Sequence, residues 1–165
     1  MSKHQNIDRV WEIIKKVRVC MLTTSFAGGL RARPLEARSD LAFHRLLFIT
    51  DVHSAKSDEV GRRPEVGLSF IDAADKAYLS ITGKAHIEDD RELRLSAWRK
   101  NDAVWWPGGP FDPDVCVLVV EPLTAELWDG PSSRAIVAYE FAKARATGTE
   151  PDLGENRKVT LPMKE

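Results

Sequence analysis

Apolar residues recur at Ile7, Val10, Trp11, Ile14 and Val17 with charged residues between them, which predicts an opening amphipathic helix capped by Asn6. From Val19 the period shortens. Segments 19–25, 30–35 and 46–50 read as strands separated by Gly28-Gly29 and by the polar Arg38-Ser39-Asp40, the first two as a hairpin. A short helix over 56–62 stops before Pro64, and 65–72 returns to strand. The clearest alternation lies in 77–88: Ala77, Leu79, Ile81, Gly83, Ala85 and Ile87 share one face, and Tyr78, Ser80, Thr82, Lys84 and His86 the other. A second helix over 90–100 turns Leu93, Ala97 and Trp98 inward, and Asp89-Asp90-Arg91-Glu92 places acids at its start, where the helix dipole favours them. The apolar run 115–120 suits a strand buried on both faces and forms a last strand pair with 124–128 around Glu121-Pro122. A helix over 134–145 follows; residues 1–148 are expected to make one domain, and 149–165 a polar, mobile tail.

Six or seven strands with helices at the start, middle and end, and little strict β–α alternation, predict a mainly β, α+β fold: an antiparallel sheet closed as a barrel. No Gly-x-Gly-x-x-Gly follows a strand and there is no phosphate-loop Gly-Lys-Ser/Thr, so a nucleotide has to be held by side chains.

The composition narrows the partners. With 165 residues, 43 % apolar and 30 % charged, the chain has the balance of one globular domain. Lys plus Arg number 24 against 25 Asp plus Glu, a net charge of −1, so no global field draws nucleic acid or an anionic membrane and any anion site is local. The N-terminus lacks the apolar stretch of a signal peptide, no run reaches membrane-spanning length, and Cys20 and Cys116 lie inside apolar runs as buried thiols; the expected compartment is the cytoplasm. His44, His53 and His86 are too dispersed for metal-ligand spacing, and Ser132-Ser133 has no nucleophile-elbow context.

The chemistry concentrates between Cys20 and Lys56. A hairpin that carries Arg33 outward, followed by a strand ending in a hydroxyl loop with Ser54 and Lys56, assembles groups that hold a dianion: the arginine fork donates paired hydrogen bonds, and lysine adds a compact charge. The competing reading makes Arg31, Arg33 and Arg38 a solvated basic edge that discourages sheet pairing, and Ser54 with Lys56 tips the balance toward the site. His53 sits in the same loop, as an exposed histidine or, when protonated, an aid to the anion. Trp105-Trp106 beside Pro107-Gly108-Gly109-Pro110 reads equally as a packed corner or as a cofactor wall.

Met21-Leu22-Thr23-Thr24, Arg31-Ala32-Arg33-Pro34-Leu35, Leu47-Phe48-Ile49-Thr50 with Ser54-Ala55-Lys56, Ser80-Ile81-Thr82-Gly83-Lys84-Ala85, Trp106 to Pro113 and Glu126-Leu127-Trp128 follow in an order that covers most of the chain. In that order and spacing they resemble the FMN-binding split barrels related to pyridoxamine 5′-phosphate oxidase, and within them the general stress protein 26 family. The resemblance implies a homodimer with two FMN molecules, each in a cleft between subunits. Arg33 and Lys56 would grip the phosphate with Ser54 beside them and Arg38 assisting; Pro34, Leu35, Ile49 and Thr50, with Phe48 of the same strand, would line the ring and ribityl chain. Tyr78 and either Trp106 or Trp128 would come from the partner. The activity implied is an FMN-dependent oxidoreductase fed by NAD(P)H or a small-molecule donor. The same site also suits a flavin reservoir or redox-sensing stress protein without turnover, and related barrels hold haem or deazaflavin. The chain has no counterpart of the C-terminal arginine and histidine with which the true oxidase takes its substrate, so vitamin B6 oxidation is not expected.

Overall fold

The amphipathic opening folds as α1 (Lys3–Val17), which buries Val10, Ile13 and Ile14 against a sheet. This computed structural model describes residues 3–131 and 134–161. Arg18, in the left-handed region at φ 64°, turns the chain out of α1 into β1 (Val19–Phe26). A tight turn through Gly29, at φ 136°, returns it as β2 (Gly29–Glu36), paired along its whole length from Val19↔Glu36 to Phe26↔Gly29. Then come β3 (Arg38–Asp40), β4 (Arg45–Asp51), α2 (Ala55–Arg62), β5 (Glu65–Asp72), β6 (Ala77–Glu88) and α3 (Arg91–Ala97). Two 3-10 turns, Lys100–Val104 and Gly109–Phe111, lead to β7 (Val115–Asp129), α4 (Arg134–Thr147) and β8 (Glu155–Thr160).

All pairings are antiparallel, in the order β2-β1-β5-β6-β7-β4-β3, with β8 added to β7. Ala37 alone separates β2 from β3, the two ends of that path, so the sheet curls until its ends meet, and the Ala37 N–H donates to the Arg18 carbonyl at 2.7 Å. The first half of β7 lies between β6 and β4; past a register shift at Thr82/Gly83 its second half lies between β6 and β8. This is a split barrel. Gly83 permits the shift, because a Cβ there would stand 2.7 Å from the Glu121 carbonyl oxygen.

The main core fills the barrel with Leu22, Phe48, Leu68, Phe70, Ile81 and Leu118. A second cluster on the other side of β4 and β7, including Leu47, Ile49, Val117 and Val119, is covered by Leu93 and Ala97 of α3. The run 115–120 is thus buried on both faces, as its composition predicts, and the alternation of β6 is matched position by position from Ala77 to His86.

Several boundaries differ from the sequence reading. Asn6 lies inside α1 and is no cap; Asp90 does cap α3, accepting the Leu93 N–H at 2.7 Å, but that helix ends at Ala97. Arg38-Ser39-Asp40 is a strand, and 115–120 and 124–128 are one strand, not a pair, because Pro122 falls at the register shift opposite Gly83, where its missing N–H is tolerated. The expected tail contains β8, which buries Val159 and is followed by buried Leu161, bringing the sheet to eight strands. Ser132-Ser133 and residues 162–165 lie outside the described residues. No helix among the described residues is long and apolar enough to cross a membrane.

Docking of β8 has a measurable consequence. Leu161→Ala is expected to lower unfolding free energy by about 2 kcal/mol or more in urea titrations, the usual cost of emptying a buried leucine site, whereas a free tail would leave it unchanged.

Candidate functional site

Residues directly opposite in an antiparallel pair share a face, and Arg31 and Arg33 stand opposite Thr24 and Leu22, both fully buried. The two arginines therefore face inward, toward α2. The helix buries Glu59 against them: Arg31 Nη1 donates to Glu59 Oε1 at 3.0 Å and Arg33 Nη2 to Oε2 at 2.7 Å. Thr24 closes the triangle, its hydroxyl donating to Glu59 Oε2 and accepting from Arg33 Nη1 at 2.7 Å. Arg31 also lies over the Phe26 ring, 4.5 Å from its centroid.

Lys56, one turn before Glu59 on α2, is half-buried and has no hydrogen-bond or ion-pair partner among the described residues. Burial, and then the Arg33 charge, pull its ammonium below the ordinary lysine pKa. Burial works against ionisation of Glu59, but hydrogen bonds from Thr24 and Arg33 hold its carboxyl below the ordinary value. Ser54 precedes α2, with its Oγ 2.9 Å from Ser57 Oγ, which bonds the Asp51 carbonyl. At the start of α2 the Ala55 and Lys56 N–H groups have no acceptor among the described residues, whereas the Ser57 N–H donates to the Ser54 carbonyl at 3.0 Å. The cluster thus combines three cations, the fully bonded Glu59 carboxylate, the more distant charge of Asp51 and a helix N-terminus, and its member without a hydrogen-bond or ion-pair partner among the described residues is Lys56.

Arg33 faces inward, not outward as the sequence reading has it, within electrostatic reach of Lys56, and Ser54 stands two residues before Lys56 at the start of α2. The structure does not bring Arg38 to them. Arg38 is buried, donates to Asp102 Oδ1 at 2.6 Å and to the Glu36 carbonyl at 3.1 Å, and lines a separate cleft of about 470 Å³ with Asp40, Arg45 and Glu88. Phe48 is sealed in the main core, on the inward face of β4 with Leu46, so it packs the barrel and presents no surface to a ligand. The side chains of Ile49 and Thr50 are buried too, Leu35 packs on the main core, and Pro34 is exposed. Trp106 packs on the same cluster as Ile49, beside the exposed Trp105.

Tyr78 and Trp128 are cross-strand neighbours on the outer face of β6 and β7, where they line a mostly apolar hollow of about 420 Å³ with Phe141 and Lys76. Following the register from Arg33 through Leu22 and Leu68 to Ile81, that part of β6 is three strands, roughly 14 Å, from Arg33. His53 is exposed, its ring nitrogen 3.5 Å from Asp114. Both thiols are buried, and burial pushes Cys20 up to about 12 and raises Cys116 as well, which disfavours their thiolates.

Glu59 was not legible as a site residue, since a carboxylate on a short polar helix reads as solvated surface. Its only local signal is its position three residues after Lys56, on the same face of α2.

Comparison with known proteins places this geometry. The model of the family described as pyridoxamine 5′-phosphate oxidase like matches residues 5–152. The chain is 28 % identical over 167 residues to protein bli-3 of Neurospora crassa, covering 94 % of this chain and 80 % of that one. A crystal structure from Jannaschia sp. CCS1, described as a general stress protein 26, superposes with TM-score 0.77 at 28 % identity, over 96 % of this chain and 99 % of that one. A general stress FMN/FAD binding protein of Xanthomonas citri superposes with TM-score 0.69 at 25 % identity, over 76 % and 89 %.

The Arg38–Asp102 pair is structural by this geometry. Asp102→Ala, which strands a buried guanidinium, is expected to cost about 3–5 kcal/mol in chemical denaturation, against a much smaller change for an exposed carboxylate such as Asp58.

Proposed function

The chain belongs to the pyridoxamine 5′-phosphate oxidase-like family, and from that premise we propose that it is an FMN-binding flavoprotein that grips the cofactor phosphate between Arg33 and Lys56. The observation that carries this reading is the half-buried Lys56 ammonium with no acceptor of its own, held beside Arg33 at the start of α2. Like charges gathered in a partly desolvated place are unfavourable until an anion joins them. A phosphomonoester dianion fits: Lys56 neutralises one oxygen, the free edge of Arg33 donates to another, the Ala55 and Lys56 N–H groups at the start of α2 add donors, and the Ser54 hydroxyl joins by exchanging its bond to Ser57 for one to the phosphate.

When bound, the flavin supplies hydride or single-electron transfer, and the protein binds, orients and shields it. Exposed Pro34 flanks the ring, while Ile49 and Thr50, with buried side chains, meet it through main chain. A homodimer completes the cleft, with Tyr78 and Trp106 or Trp128 supplied by the partner. This agrees with their exposed or half-exposed positions and with the separation of Tyr78 and Trp128 from Arg33 within one chain. The activity is then oxidoreductase chemistry with NAD(P)H or a small-molecule donor. Steady-state NAD(P)H oxidation by the FMN-loaded protein separates it from a reservoir or sensor that binds without turnover.

Arg33→Ala and Lys56→Ala are each expected to weaken FMN binding about tenfold or more, with riboflavin affinity unchanged, in flavin fluorescence titrations. Unchanged FMN affinity in both variants removes the phosphate grip.

The pH profile has a fixed sign. A phosphomonoester gains a proton near pH 6, so FMN affinity is expected to fall as pH drops below about 6 while riboflavin affinity stays flat. On the alkaline side, the lowered pKa of free Lys56 makes FMN affinity decline before the ordinary lysine range is reached. Parallel FMN and riboflavin titrations across that range check both limbs.

A further inference from the structure

We infer that Glu59 is a positioning residue for the phosphate grip: it holds the Arg33 guanidinium by one edge, with Thr24, so that the other edge is already aimed when the anion arrives. The inference rests on the flavin-phosphate reading and names a residue outside the cofactor contacts proposed above.

An exposed arginine samples many rotamers, and an anion that binds it has to order the side chain first. Arg33 escapes that requirement. Its Nη1 is committed to Thr24 Oγ1 and its Nη2 to Glu59 Oε2, both at 2.7 Å, which fixes the plane of the fork. Nε–H and the second hydrogens on Nη1 and Nη2 are left to donate elsewhere. Glu59 is itself immobilised, since Arg31 takes Oε1 while Thr24 and Arg33 share Oε2, and the residue is buried under α2. Lys56 sits one turn away on the same helix, so the element that carries the free ammonium also carries the carboxylate that orients the arginine. Helix α2 therefore sets both halves of the grip together. Glu59 also offsets part of the charge of Arg31, Arg33 and Lys56, as Asp51 does for Lys56, and leaves the cluster a net cation.

The test is the ratio of FMN to riboflavin affinity, because only the former ligand reports on the phosphate. Glu59→Ala is expected to reduce that preference about tenfold with riboflavin affinity unchanged, since Arg33 then has to be ordered by the ligand. Glu59→Gln keeps an oxygen that accepts from Arg33, so it is expected to hold the preference within about threefold of wild type. A residue that served stability alone would weaken both ligands in step, and that result overturns the inference. So does an unchanged preference in Glu59→Ala, or a loss in Glu59→Gln as large as in Glu59→Ala, which would assign the effect to charge and not to aim. Should Glu59→Ala fail to fold, Thr24→Val removes one hydroxyl from the triangle in a near-isosteric way and is expected to lower the preference about threefold; no change overturns the inference. The underlying reading fails differently. A wild type that binds FMN no better than riboflavin sinks the phosphate grip itself, whereas a clear wild-type preference untouched by the Glu59 and Thr24 variants sinks only the positioning role.

Discussion

Everything in this fold is hung on β7, a strand that serves two cores at once. Six consecutive residues, Val115 to Val120, are buried. Leu118 and Val120 join the barrel interior, and Val115, Val117 and Val119 join the cluster beneath α3. A strand apolar on both faces has no solvent side to slip toward, so its register with β4 is strongly constrained by packing on either face. That register carries through to the candidate site. Thr50 and Asp51 pair with Cys116 and Val115, the Val52 N–H donates to the Asp114 carbonyl at 2.9 Å, and the loop that starts α2 is placed before any ligand is considered.

The two readings of the basic segment in β2 turn out not to exclude each other. β2 ends the path of paired strands, and charges on an end strand discourage pairing with another molecule. Arg31 and Arg33 are not simply solvated, however. They face inward and share a buried carboxylate, and burying that carboxylate without its three donors would cost several kcal/mol. The same inward charges that protect the edge build a polar cluster between β1, β2 and α2.

What was legible in the sequence was whatever one strand or helix face decides by itself. The alternation of β6, the bounds of β5 and the two-sided burial of the 115–120 run each follow from local pattern, because burial of a face is written in the residues of that face. The misreadings each involve a partner far along the chain. Pro122 is harmless because Gly83 shifts register opposite it; β8 has only Val159 to announce it and exists because β7 extends past β4 with an unpaired edge. Arg38 looks like a ligand contact until Asp102, remote in sequence, claims it. The cluster around Arg33 was half legible: Arg33, Ser54 and Lys56 carry a recognisable chemistry in their types and order. Glu59 could be identified only when α2 was seen to press it against β1 and β2.

On the proposed reading, a chain of net charge −1 holds a dianion through its local field and not its global one. Arg31, Arg33 and Lys56 converge where two strands and one helix meet, and partial burial of Arg33 and Lys56, though not of the exposed Arg31, weakens the screening that would otherwise disperse their effect. Were all three cations left without a counter-charge, the cluster would oppose folding; were all three paired, it would have nothing to offer a ligand. Glu59, fully bonded and buried, with Asp51 acting from further off, leaves the arrangement between those limits, and the cation without a bonded acceptor is the lysine, whose flexible stem lets it approach an incoming anion. The residue that secures the folded state of this corner and the residue left free to bind are on the same helical turn.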